Sequence, residues 1–177
     1  MTTVPEAAQL SEPASRLRKR RDSATDEAFR FELFCRSRPG GDDFSHLDPM
    51  LRQTLLRQQF RAQSVGYRTN CPEAEFEILE IDGAPIGAMI TDRSHGAIHI
   101  LELAFLPDWR GLGIGSAILR AACEEGQEKL MPVRFEVYAW EERLVRLYQR
   151  LGFRPYERTE MQFHMEWRPQ QAPTGGE

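Results

Sequence analysis

The stretch Leu101 to Ser116, LELAFLPDWRGLGIGS, constrains the chain more than any other. An apolar run of strand character passes through a proline-containing loop into glycines at 111, 113 and 115, and then into a helix-forming segment. Alternate glycines let backbone N–H groups approach an anion with no Cβ in the way. The helix start adds unpaired donors and the positive end of its dipole. The pattern is that of a phosphate cradle. It lacks the GK[ST] of a nucleoside-triphosphate loop, and its glycines do not fit GxGxxG followed by an acidic ribose ligand. A glycine turn needed only for tight strand-to-helix packing is the competing reading.

The rest of the chain supplies a frame for this stretch. Residues 1–14 and 169–177 are rich in Pro, Gly and small or polar residues without periodicity and are expected to be disordered tails flanking one domain, 15–168. SRLRKRR at 15–21 reads as a basic tail or as a short edge strand anchored by Leu17. A helix is expected over 26–36, with Thr25 as N-cap and Phe29, Leu33 and Phe34 on one side, ended by Arg38-Pro39-Gly40-Gly41. A second runs from the Asp48 cap and Pro49 toward Tyr67. After Asn70-Cys71-Pro72 the period drops to 2. EFEILEI, the turn Asp82-Gly83, APIGAMIT and then AIHILELAFL make a three-strand meander. A helix over 113–130, a strand over 133–139, a helix over 141–151 and a final segment 153–167 complete the order.

Composition sets the class. The 177 residues fit one α/β or α+β domain, and no uninterrupted apolar run approaches the roughly 18 residues of a membrane span. The net charge of −4 removes the nonspecific electrostatic term on which nucleic-acid binders rely. Neither nucleic acid nor a membrane is therefore expected as a partner. Cys35, Cys71 and Cys123 are odd in number and form no CxxC or Cys/His ligand spacing, so no disulfide framework or metal site is implied. The N-terminus lacks the apolar core of a secretory signal; a reducing cytosol, hence a cytoplasmic location, is the expectation.

On these residues the chain resembles the GCN5-related N-acetyltransferase (GNAT) family, whose Arg/Gln-x-x-Gly-x-Gly/Ala signature is matched by Arg110-Gly111-Leu112-Gly113-Ile114-Gly115. LELAFLPDW is similar to the family's fourth strand. RLYQRLGFRPY (146–156) is similar to its Tyr-x-x-x-Gly-Phe helix-to-strand segment, through Tyr148, Gly152 and Phe153. The resemblance covers about residues 16 to 167. It implies a mixed α+β fold: a mostly antiparallel sheet of six or seven strands, about four helices, and a V-shaped opening beside strand 97–106. It also implies acetyl-CoA as cosubstrate, an amine acceptor, transfer by direct attack, and permits a homodimer. The alternatives are a CoA-binding module without catalysis and an enzyme using a longer acyl-CoA.

What the resemblance implies about residues is specific. Leu103, Ala104 and Phe105 would pair their backbone with the pantetheine arm as if it were an added strand. Amides from Arg110 through Gly111, Leu112, Gly113, Ile114, Gly115 and Ser116 would meet the pyrophosphate. Tyr148 matches the tyrosine that serves the leaving sulfur; on its helix it stands beside Leu144 and Leu151, with its hydroxyl projecting from a buried face. For the base, simple alternation puts His99 and Glu102 on opposite faces of strand 97–106. His99 matches the position where some members carry Glu or His and is the first choice. Glu102 is the second, because a bulge in the family's strand alters which way it points. Trp140 stands in a stretch where many members carry a cofactor-binding Asn; it would pack on the arm, or cofactor affinity would be reduced. Phe44, Phe60, Tyr67 and the turn 38–43 are expected to line the acceptor entry.

Overall fold

The computed structural model describes residues 12–37, 44 and 46–170. Its elements follow the expected order: α1 Glu12–Ser15, β1 Leu17–Arg21, α2 Glu27–Ser37, α3 Pro49–Asn70, β2 Glu75–Ile81, β3 Ala84–Asp92, β4 Ile98–Phe105, α4 Ile114–Lys129, β5 Val133–Tyr138, α5 Glu142–Arg150, β6 Arg154–Arg158 and β7 Gln162–Trp167. The seven strands form one sheet in the order β1-β2-β3-β4-β5-β7-β6. Every pairing is antiparallel except β4 with β5, which is parallel. The basic segment is thus an edge strand. Arg20 explains how it tolerates the position: its guanidinium bridges Asp26 at 2.7 Å and Glu80 at 2.7 Å.

Four local details differ from expectation. Ser23, not Thr25, opens the first helical region, because its N–H and hydroxyl both donate to the Asp26 carboxylate, at 2.8 and 2.9 Å. At the end of the segment expected as a tail, Glu12–Ser15 forms one helical turn lying by α4, with Ala14 buried. The final segment is two strands, turned at Thr159, whose hydroxyl accepts from the N–H groups of Met161 and Gln162. At the other end Gln127 holds Gln170 by a reciprocal pair of bonds, so the chain stays ordered two residues past 168. Residues 1–11 and 171–177, the greater part of the expected tails, lie outside the described residues.

The apolar residues sort onto two sides of the sheet. Ile98, Ile100, Met89, Val133 and Met165 pack under Ile114, Ile118 and Leu119 of α4, with Val145, Tyr148 and Leu151 of α5 against them. On the opposite side Ile78 and Ala88 pack with Leu33 of α2. Phe60 of α3 fits edge-on to Phe31 and tilted to Phe34, with centroids 5.6 and 5.7 Å apart, which ties α3 to α2. Burying such side chains contributes roughly 1.5–3 kcal/mol each, so both sides anchor the sheet. Among the described residues no helix is long and apolar enough to cross a membrane.

Candidate active site

The site begins where β4 and β5 part. They pair only at Ile98 with Val133 and His99 with Arg134, and β4 then continues for six residues without β5 beside it. The side of β4 that faces this gap can be read from its other bonds. Leu106 donates to Ile86 of β3, so in the antiparallel ladder Ala104 and Glu102 exchange bonds with β3, while Leu103 and Phe105 turn their N–H and C=O groups to the gap. The Arg110 side chain folds back onto the Phe105 carbonyl at 3.0 Å and onto the Arg36 carbonyl at 3.0 Å. Leu103 N–H and C=O and Phe105 N–H remain for an extended ligand. Ala104, expected to share in that pairing, is a correction: its main chain is directed at Ala88 on β3.

The gap leads into the glycine turn. Gly111 and Gly113 have φ of +75° and +79°, conformations that side-chain-bearing residues rarely adopt, and Gly113 is the N-cap of α4 without a capping side chain. The first amides of α4, Ile114, Gly115 and Ser116, therefore have no side-chain partner from the cap. A Cβ on Gly115 would touch only the Phe105 ring, at 3.5 Å, so its smallness is not demanded by packing.

Two candidate proton carriers flank the gap from opposite faces. Tyr148 is half-buried on the α5 side, its ring edge-on to Phe135 with centroids 4.6 Å apart. Burial, then the charge of Glu141, raises its phenol above the ordinary value, so it is protonated at neutral pH. Its apolar company is Val145, Leu151 and Phe135; Leu144, expected beside it, is exposed.

On the other face the expected separation of His99 and Glu102 is overturned. Ile90 pairs with Glu102 but Thr91 with Ile100, which leaves Leu101 as an extra residue in β4. Ile98, Ile100, Leu103 and Phe105 consequently all reach the α4 side, while Ala104 and Leu106 pack on the α2 side. His99 and Glu102 share the α2/α3 side. His99 lies where the strands are still paired, beside Asp92 and Arg134, with its Nε2 buried and without a hydrogen-bond partner. Burial, then Arg134, pushes its pKa below the usual imidazole value. Glu102 stands three residues farther on, beside the gap. Burial raises its pKa, against the opposing effects of Arg30 and of a hydrogen bond from Tyr67.

Tyr67, expected as acceptor lining, does more than line: its hydroxyl donates to the Leu101 carbonyl at 3.3 Å, next to Glu102, and burial pushes its pKa up to about 12. Arg30 had no motif to announce it. Trp140 is half-exposed and stacks on Tyr138, centroids 4.4 Å and planes 14° apart, at the end of β5. Phe60 is a core residue that lines a narrow cavity together with Glu102; Phe44 is half-buried, and the turn 38–43 lies outside the described residues. No group of three or more potential metal ligands occurs among the described residues.

A central strand that parts from its parallel neighbour, turns its backbone into the gap and runs through glycines into a helix is the arrangement that the resemblance to the GNAT family implies. The comparisons agree. Residues 72–155 match the family model described as an acetyltransferase (GNAT) domain. The fold is similar to that of the PaiA N-acetyltransferase of Thermoplasma acidophilum in complex with coenzyme A, at TM-score 0.64 and 16% identity over 86% of this chain and 98% of that one. The ribosomal-protein-S18-alanine N-acetyltransferase of Escherichia coli gives 0.59 and 18% over 91% and 99%. A GNAT family acetyltransferase of Elizabethkingia anophelis with acetyl-CoA bound gives 0.56 and 11% over 86% and 98%. No curated protein matches the chain in sequence. Residues 72–155 thus resemble the GNAT acetyltransferase domain in sequence, and the chain shares the fold of these acetyltransferase structures.

Proposed function

We propose that the protein moves an acetyl group from acetyl-CoA to a primary amine, on a small molecule or a peptide, by direct attack. The observation that carries this reading is the gap after His99, which offers strand-like backbone partners, leads to glycine-borne amides and is flanked by Glu102 on one face and Tyr148 on the other. Leu103 and Phe105 would align the pantetheine arm, Gly111 to Ser116 would hold the pyrophosphate, and Trp140 would flank the arm from the end of β5. Acetyl-CoA supplies the activated thioester. Glu102 takes the proton from the incoming ammonium, a role suited to a carboxylate whose burial makes it a stronger base than one in water. Glu102 is favoured over His99 because the gap opens beside it. Tyr148, kept protonated by burial, donates to the departing sulfur.

Two of the three cysteines support direct transfer. Cys123 is buried and its thiol is pushed up to about 12, and burial beside Asp92 raises that of Cys71. A thiol so disfavoured as thiolate is a poor nucleophile. Calorimetry with CoA and acetyl-CoA, followed by thiol release over a panel of amines and peptides, tests the reading. Binding with amine-dependent thiol release is the expected result. Acetyl-CoA binding without release across the panel would leave a binding module, and release only with longer acyl-CoA would reassign the donor.

A further inference from the structure

Behind Glu102 a chain of charges runs away from the gap, and its arithmetic is informative. Arg30 of α2 donates to Asp22 at 2.8 Å and to the Ser64 hydroxyl at 3.4 Å. Arg68 of α3 reaches the same Asp22 oxygen at 3.3 Å. Two guanidinium groups on one carboxylate leave one positive charge over. Arg30 is well buried, its side chain 16% exposed, with the Phe60 and Phe76 rings 5.7 and 5.8 Å from its guanidinium carbon, so water screens that surplus little. Arg30 and Asp22 line the same narrow cavity as Glu102. The other titratable groups around it are accounted for: Tyr67, which donates to the Leu101 carbonyl at 3.3 Å, and Tyr138 act on one another, a phenol carries no charge at neutral pH, and Glu77 of β2 is paired with Lys19 at 3.9 Å.

We propose that Arg30 is a positioning residue for Glu102: pinned by Asp22, it supplies from behind the positive charge that Glu102 balances, and thereby sets how readily the base at the gap takes up a proton. One turn of α3 fastens the arrangement, because Gln63 and Tyr67 serve the Glu102 end while Ser64 and Arg68 serve the Asp22 end. The electrostatics agree in direction, since Arg30 opposes the effect of burial on Glu102. The inference rests on the reading of Glu102 as the base, and the two can fail separately.

The test is a pH titration of the Glu102 side-chain carboxyl by carbon NMR in the full chain, assigned with Glu102→Gln, which needs no acceptor. Arg30→Gln is expected to raise the midpoint by about 1 to 3 pH units, the usual effect of losing a nearby opposite charge. Arg30→Lys should restore it toward the original value. Asp22→Asn should move it the other way, because removing a negative charge leaves Arg30 less neutralised. Opposite signs are the signature, since packing damage alone moves neither midpoint in a charge-dependent sense. An unchanged midpoint in folded Arg30→Gln, or both variants shifting it together, overturns the proposal. Should Arg30→Gln fail to fold, Asp22→Asn decides: a lowered midpoint supports the coupling and an unchanged one refutes it. Thiol release by Glu102→Gln tests the underlying reading separately; full activity there would remove Glu102 as base whatever its midpoint does.

Discussion

The two halves of the sheet on either side of the gap are built differently. In β1–β4, Ile78, Leu79, Ile86 and Met89 are at most 1% exposed, and apolar side chains fill both faces, under α2 on one and α4 on the other. In β5–β7–β6 one face is equally dry, with Val133 and Met165, and Phe153 just before β6, fully buried, but the other is polar: Arg134 pairs with Glu166 at 2.7 Å and His164 Nδ1 lies 3.4 Å from Glu136. β6 is exposed along its length. Backbone geometry has to be held rigidly where a cosubstrate is read by main-chain groups, and a doubly packed strand such as β4 provides that. The second half contributes side chains at the gap: Tyr148, packed edge-on against Phe135, and the stacked Tyr138 and Trp140. The first half thus offers mainly backbone to the gap and the second mainly side chains.

The sharpest way to break this contrast is Gly115→Asp. A side chain there has room beside Phe105, so the protein should fold, but a negative charge would stand among the amides proposed to meet the pyrophosphate. Affinity for CoA should fall by at least about 100-fold, a loss of roughly 2.7 kcal/mol. Calorimetry giving undiminished affinity for folded Gly115→Asp would place the site elsewhere. Tyr148→Phe probes the other half: it keeps the ring against Phe135 and removes only the hydroxyl, so kcat should drop by about 10- to 10⁴-fold with CoA affinity nearly unchanged. A matching drop in affinity would mean that Tyr148 belongs to the cofactor frame.

The smallest expected effect concerns acid. Arg93 near the end of β3 holds Glu125 of α4 at 2.7 Å, and with Lys129 keeps its carboxyl down at about 2. A depressed carboxyl contributes stability that is complete above the unfolded value of roughly 4.3 and is lost as pH falls toward 2. Thermal melts between pH 6 and 3 should therefore show wild type losing more of its Tm than Glu125→Gln. Equal losses would show that the tie between β3 and α4 adds nothing to the rigid half.

Local signals announced most of the fold. Asp82-Gly83 marked the β2–β3 hairpin, with Gly83 at φ +79°, and the glycines before Ile114 marked the helix start. The turn between β6 and β7 carries no Gly, Asn or Pro, only a threonine hydroxyl, and so left no trace in the pattern. The bulge at Leu101 was invisible for a related reason. IHILELAF alternates acceptably in either register, and the choice is made by what β3 pairs and by the Tyr67 hydroxyl on the Leu101 carbonyl. That one residue moves Glu102 to the side of His99, so the base assignment could not be read from periodicity. Arg30 was hidden because it is one arginine among many, and only the meeting of α2, α3 and β1 gives it Asp22 and a place behind Glu102.

The parting of β4 from β5 also bears on how the protein avoids its own kind. A strand with unpaired donors and acceptors at the rim of a sheet can recruit a strand from another molecule and seed aggregation. Here such a run lies in the interior of the sheet, in a wedge pinned shut at one end by the His99–Arg134 pair. A polypeptide entering it would have to bring its side chains into that narrow end, whereas a thin, unbranched amide chain would not. A wedge of this shape selects for girth, so the geometry that would suit the proposed slender cosubstrate also keeps the chain's unpaired backbone from other proteins.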